Sequence, residues 1–156
     1  MRKLTVTEWM SLDGYVSGPN NDMGFVGESF NDEMGVYEDS FLRSGDLLLL
    51  GHTTYDSFYG AWPEREQNST EPGEKEYAKY LNAMKKIVYS KTMDKAEWTN
   101  TQVRKEIDPD EIKQWKATEG KNIIIYGSAT LVQKLTNLGL IDEYQIVLMP
   151  TVLGDG

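Results

Sequence analysis

Apolar residues in this chain gather in short runs, and amphipathic stretches separate them. Leu4 to Ser11 is rich in β-branched and aromatic residues and predicts a first strand. Leu47 to Leu50 is apolar on both faces, as in parallel sheets covered on both sides. Lys86 to Ser90, Thr99 to Val103, Ile123 to Tyr126 and Glu143 to Pro150 predict further strands. Between them, Met34, Tyr37, Phe41 and Leu42 recur near helical spacing, predicting a helix from Asn31 to Arg43 capped by Ser29 or Asn31. Shorter helices are expected over Thr53 to Tyr59 and Ala78 to Met84. Asp108-Pro109 starts another helix that runs to about Glu119, and Thr130 to Asn137 is a last one closed by Gly139. Residues 63–76 are polar, contain Pro63, Pro72 and Gly73, and read as an excursion loop. Strands alternating with helices predict one α/β domain over 1–156 with a central, mostly parallel sheet.

Two of these transitions share a design. Leu47-Leu48-Leu49-Leu50-Gly51-His52-Thr53-Thr54 and Ile123-Ile124-Ile125-Tyr126-Gly127-Ser128-Ala129-Thr130 each run from an apolar strand through glycine into hydroxyl residues and a helix start. Free backbone N–H groups and the positive end of the helix dipole collect at such a point and suit an anion. Two of them in one small domain suggest a pyrophosphate held between them, and hence a dinucleotide. The three-glycine dinucleotide fingerprint is absent, so this is a different arrangement from the usual one.

Composition narrows the chemistry. The formal net charge of −9 argues against general nucleic-acid binding but leaves room for a small phosphorylated ligand. The chain has no cysteine and one histidine, His52, so the usual zinc ligand sets cannot be assembled and no metal is expected. No apolar run approaches the roughly 20 residues of a membrane helix, and the N-terminus has no signal-peptide profile. A cytoplasmic location is the default expectation.

Six segments stand in a recognisable order: Met10-Ser11-Leu12-Asp13-Gly14-Tyr15-Val16, Gly51-His52-Thr53-Thr54-Tyr55, Ile87-Val88-Tyr89-Ser90-Lys91-Thr92, Ile125-Tyr126-Gly127-Ser128-Ala129-Thr130-Leu131, Gly139-Leu140-Ile141-Asp142-Glu143-Tyr144, and Met149-Pro150-Thr151-Val152-Leu153-Gly154-Asp155-Gly156. The chain resembles the dihydrofolate-reductase-like superfamily, and within it the branch of the riboflavin-biosynthesis reductase domain. The resemblance implies a three-layer fold and an NADPH-dependent reductase of a small heterocyclic substrate, with NADH as the alternative cofactor. It implies cofactor contacts at Gly51, His52, Thr53 and Thr54, at Gly127, Ser128, Ala129 and Thr130, and at Ser90 and Lys91 for a 2′-phosphate. Trp9 and Val16 would face the nicotinamide, and the loop from Asp13 to Phe25 would be a flap beside it. A homodimer is also implied.

Departures from the family pattern matter. Many relatives carry arginine where His52 stands, which shifts any 2′-phosphate contact toward Lys91. Folate reductases place a carboxylate on the first helix, and an ungapped count from Gly51 puts that position near Gly35. Folate reduction is therefore disfavoured. Asp13, Asp32 and Glu33 are the candidate catalytic acids, and Asp32, Glu33, Glu38 and Asp39 together read as the wet face of a helix. Relatives usually continue beyond the Leu153-Gly154-Asp155-Gly156 turn into further strands; either the sequence is truncated there or the final strand is missing, and a missing strand would leave a sheet edge open. The rival to a reductase is a non-catalytic nucleotide-binding or scaffold domain of the same fold.

Overall fold

The computed structural model describes residues 1–156. Six strands form one sheet: β1 (Leu4–Met10), β2 (Gly45–Gly51), β3 (Lys85–Tyr89), β4 (Thr101–Arg104), β5 (Asn122–Tyr126) and β6 (Glu143–Leu148). Their order is β4-β3-β2-β5-β1-β6, and every adjacent pair is parallel. The helices are α1 (Gly24–Ser29), α2 (Asp32–Arg43), α3 (His52–Tyr59), α4 (Trp62–Asn68), α5 (Pro72–Ala83), α6 (Pro109–Ala117) and α7 (Ala129–Asn137).

The apolar strand runs have two faces to bury, and two cores do so. On one face Leu4, Val6, Leu49, Ile87, Ile123 and Ile125 pack against Ile112 of α6 and Leu131 and Leu135 of α7. On the other, Leu48, Leu50, Val88 and Ile124 pack against Phe41 and Leu42 of α2, Tyr55 of α3 and Leu81 of α5. The result is the three-layer dihydrofolate-reductase-like α/β fold, with all six strands parallel. Asn31 caps α2, its side chain accepting from the Met34 N–H at 3.0 Å.

The expected loop over 63–76 is instead mostly helix, comprising α4 and the start of α5. Both prolines read as breakers stand in a first turn, where the missing N–H has no helical partner to lose. Trp62 packs on Tyr77 of α5 at 4.9 Å between ring centroids, and Asn82 donates to the Trp62 carbonyl. That tertiary contact overrides a locally polar sequence. Helix α1 lies at the end of the expected flap and was not foreseen. Strand β6 forms an open edge, with Tyr144, Ile146 and Leu148 at 47%, 44% and 59% exposure.

Lys86 is fully buried within β3. Its ammonium donates to the carbonyls of Leu81 (3.0 Å), Asn82 (2.7 Å) and Met84 (2.6 Å), and lies 4.4 Å from the Trp98 ring centroid. Asn100 donates to the remaining end carbonyl, Ala83. The C-terminal carbonyls that a helix leaves orphaned are thus closed by side chains from β3 and the loop before β4. Burial pushes the Lys86 ammonium down, to about 7. Lys86→Met keeps the volume and strands three carbonyls, so it is expected to lower unfolding free energy by about 2 kcal/mol in urea titrations at neutral pH.

Candidate active site

The site lies at the carboxyl ends of β2 and β5, which are neighbours in the sheet. Gly51 ends β2 and is the N-cap of α3, while Ser128 follows β5 and is the N-cap of α7. Neither helix receives a side-chain cap, so the first-turn N–H groups of both remain available. Gly127 and Ser128 have φ of 55° and 63°, a left-handed pair that turns the chain sharply out of β5. Gly127 anchors this turn by donating to the Thr7 carbonyl at 3.2 Å. The two caps touch: a Cβ added at Gly51 would collide with the Ser128 hydroxyl. Sequence pattern paired these two helix ends, and the structure brings them into van der Waals contact.

Two cavities open on either side of this contact and share Thr53, Ser128 and Thr130. The first, about 610 Å³, carries His52, Ser90, Lys91, Lys105 and Lys134 on its walls. The Ser90 hydroxyl accepts from the Thr92 and Met93 backbone N–H groups, at 3.3 and 3.0 Å, so its own proton points to His52 Nδ1 at 2.9 Å. His52 Nε2 faces the Asp56 carboxylate at 3.4 Å. Lys105 is paired with Asp94 and bonds the Met93 carbonyl. Lys91 and Lys134 make no ion pair and are the free cations of this wall.

The second cavity, about 480 Å³, has a different character. Trp9, Phe58, Trp62, Tyr77 and Tyr126 supply flat apolar walls, and Val16, Ser17, Asn21 and Met23 close one side. Two carboxyls face it, Glu8 from β1 and Glu38 from α2, and no lysine, arginine or histidine lines it. Glu8 is 7% exposed and makes no hydrogen bond or ion pair. Glu38 Oε1 is buried without a partner. Burial pushes both carboxyls up, to about 7. The phenols of Tyr77 and Tyr126, bonded to each other at 3.1 Å, are also raised by burial, with the Glu38 charge adding to it.

The candidate residues sort cleanly by position. Gly51, His52, Thr53, Ser90, Lys91, Ser128 and Thr130 line the first cavity. Trp9, Val16, Thr54, Gly127 and Ala129 line the second. The three candidate acids lie elsewhere. Asp13 accepts from the Ser11 hydroxyl (2.7 Å) and from the Leu153 and Gly154 N–H groups, bonds that hold its carboxyl down to about 2 and tie the C-terminal turn to the end of β1. Asp32 is exposed in the first turn of α2. Glu33 borders a separate depression against β6. Glu38, grouped with the wet face of α2, belongs with the buried positions Phe41 and Leu42, three and four residues on. Glu8, a charge inside an otherwise buried strand, was a legible signal that went unread.

The model of the RibD C-terminal domain matches residues 2–156. The chain belongs to this family. It is 30% identical to the uncharacterized protein YyaP of Bacillus subtilis (strain 168), over 99% of this chain and 78% of that protein. Among solved structures, a putative riboflavin biosynthesis protein from Shewanella sp. PV-4 superposes with TM-score 0.71 at 21% identity, covering 99% of this chain and 80% of that one. Dihydrofolate reductase from Enterococcus faecalis, complexed with NADP(H) and RAB-propyl, gives 0.58 at 11% identity over 99% and 74%. A diaminohydroxyphosphoribosylaminopyrimidine deaminase/5-amino-6-(5-phosphoribosylamino)uracil reductase from Thermotoga maritima gives 0.60 at 9% identity over 99% and 46%. No helix is long and apolar enough to cross a membrane.

The two raised carboxyls make stability depend on pH. Their folded-state values stand near 7 against an ordinary 4.5, so the folded state favours the protonated form. That contribution is complete below about pH 4.5 and is lost as pH rises through about 7. Glu8→Gln and Glu38→Gln each remove the loss, and at pH near 8 each is expected to raise unfolding free energy by about 1–3 kcal/mol over the parent in urea titrations.

Proposed function

We propose that this RibD C-terminal domain is an NAD(P)H-dependent reductase of a small, planar heterocyclic compound. The observation that carries this is the contact of two uncapped helix N-termini between a lysine-bearing cavity and an aromatic, carboxyl-bearing one. A dinucleotide has this layout: an anionic centre, a phosphorylated nucleoside on one side and a reactive ring on the other. The Enterococcus faecalis reductase of the same fold carries NADP(H).

In this reading the N–H groups of Thr53, Thr54, Ala129 and Thr130, with the Ser128 hydroxyl, hold the pyrophosphate against Gly51 and Gly127. Ser90, Lys91 and Lys134 receive the 2′-phosphate beside His52, which makes NADPH the preferred cofactor and NADH the weaker one. Trp9 and Val16 flank the nicotinamide, and Trp62 and Phe58 keep the second cavity dry. Bound there, the nicotinamide supplies a hydride to a C=N or C=O carbon. The chain's part is to orient the acceptor and to deliver a proton to its nitrogen or oxygen, and a carboxyl poised near neutrality is suited to that. Asp13 acts at a distance, by fixing the turn that closes on β1. The same reading includes a homodimer that covers the apolar row of β6 and a cytoplasmic location.

Trp9 and Trp62 report directly on the second cavity, so titration of NADPH is expected to quench their fluorescence saturably below millimolar concentration. The double variant Lys91→Ala, Lys134→Ala is expected to weaken NADPH about tenfold while leaving NADH within about twofold. No saturable binding of either nucleotide would end the proposal. Binding without oxidation across carbonyls and imines would favour the scaffold alternative. Sedimentation equilibrium tests the dimer.

A further inference from the structure

Helix α4 differs from the other walls of the second cavity. None of its residues is buried, no side chain caps it, and its one contribution to a core is the half-buried Trp62. The fold nevertheless holds it with well-matched polar contacts. Asn82 of α5 is 8% exposed and spends both amide donors on α4, one on the Trp62 carbonyl at 3.2 Å and one on the Glu66 carboxylate at 2.6 Å. Its amide oxygen accepts from the Trp98 indole at 2.9 Å, and its backbone carbonyl accepts from Lys86 at 2.7 Å. Arg65 meets Glu74 of α5 at 3.5 Å. These contacts converge on one ring. The Trp62 indole is wedged between Tyr77, at 4.9 Å between centroids, and the Arg65 guanidinium, at 4.6 Å. The same indole lines the second cavity.

Strand β5 separates β1 from β2 in the sheet, so the two ends of this cavity are built from different elements. Trp9 and Val16 stand at the β1 end, and Phe58 and Trp62 at the helical end that follows β2. With the nicotinamide beside Trp9 and Val16, the acceptor occupies the end that Trp62 closes. We infer that Trp62 is the specificity-determining residue of this site: its indole admits a bicyclic heterocycle as acceptor and stops a linear tricyclic one. Asn82 is the positioning residue that keeps the indole in place. This rests on the reductase reading of the same site. The cavity of about 480 Å³ takes the nicotinamide as well as the acceptor, which leaves room for a small ring system only. An indole packed on both sides cannot swing aside for a longer ligand without opening the Tyr77 and Arg65 contacts. The discrimination is one of length, so it needs no charge on the acceptor.

The test uses quinoxaline and phenazine, neutral flat C=N heterocycles that differ by one linearly fused ring. Each is dialysed to equilibrium against the full chain and read by its own absorbance, with NADPH titrated separately. The parent is expected to bind quinoxaline at least about tenfold tighter than phenazine. Trp62→Ala is expected to bring phenazine to the affinity of quinoxaline or beyond it, and Trp62→Leu serves should that variant fail to fold. Asn82→Asp keeps the size and the acceptor for Trp98, removes the donors to α4 and sets a second carboxylate against Glu66. It is expected to cut the preference for quinoxaline about threefold or more, and adding Glu66→Gln is expected to restore it to within about twofold. A parent that binds phenazine as tightly as quinoxaline, or binds neither, overturns the inference, as does parent selectivity kept in both Trp62 variants. Selectivity unchanged in Asn82→Asp, with only a lower melting temperature, overturns the positioning role. Saturable NADPH binding with any of these results leaves the reductase reading standing. Ring selectivity without NADPH binding supports the Trp62 wall and overturns the reductase reading.

Discussion

The site depends on one steric constraint, the approach of Gly51 to Ser128. Strands β2 and β5 are neighbours and parallel, so both helices that follow them start on the same edge of the sheet. With a side chain at Gly51, or without the left-handed turn at Gly127 and Ser128, the two N-termini would stand apart. Pressed together and uncapped, they concentrate two helix-dipole ends and their N–H groups at one point. That point is positive in a chain whose net charge is −9.

The two cavities inherit opposite chemistry from their flanks. The first takes its cations from the ends of β3 and α7, where Lys91 and Lys134 are unpaired and Lys105 is neutralised by Asp94. The second takes acids from β1 and α2 and walls of aromatic rings. The helix ends sit between a basic wall and an acidic one, so a ligand that spans both is oriented by charge as well as by shape. Asp13 and the flap residues support this indirectly, since the bonds from Asp13 to Leu153 and Gly154 hold the chain ends where Val16 and Ser17 can close the second cavity.

Lys86 on one side and Glu8 and Glu38 on the other meet burial in different ways. Lys86 has its three donors matched to three carbonyls and an aromatic face, and its work is to finish α5. At the edge of a cavity, Glu38 Oε1 is buried without a partner and the Glu8 side chain forms no hydrogen bond or ion pair. The folded state tolerates such groups where a ligand completes them, and their raised affinity for protons follows from the same desolvation.

Much of this was legible along the chain. The apolar runs at Leu47–Leu50 and Ile123–Tyr126 declared buried parallel strands, and the glycines after them declared helix starts, because strand burial and helix capping are local consequences of residue type. The prolines misled: Pro63 and Pro72 break helices in general but open them in a first turn, and only the packing of Trp62 on Tyr77 decides which. The acids misled for a related reason. Asp13, Asp32, Glu33 and Glu38 are alike as residues, and what separates them is whether Leu153 and Gly154, open solvent or an aromatic-walled cavity stands opposite. Local pattern therefore determined the elements and the two anion-ready caps. Their contact, the division into a cationic and an acidic cavity, and the identity of the two poised carboxyls came only with the tertiary structure, because desolvation and charge pairing are properties of neighbours far apart in sequence.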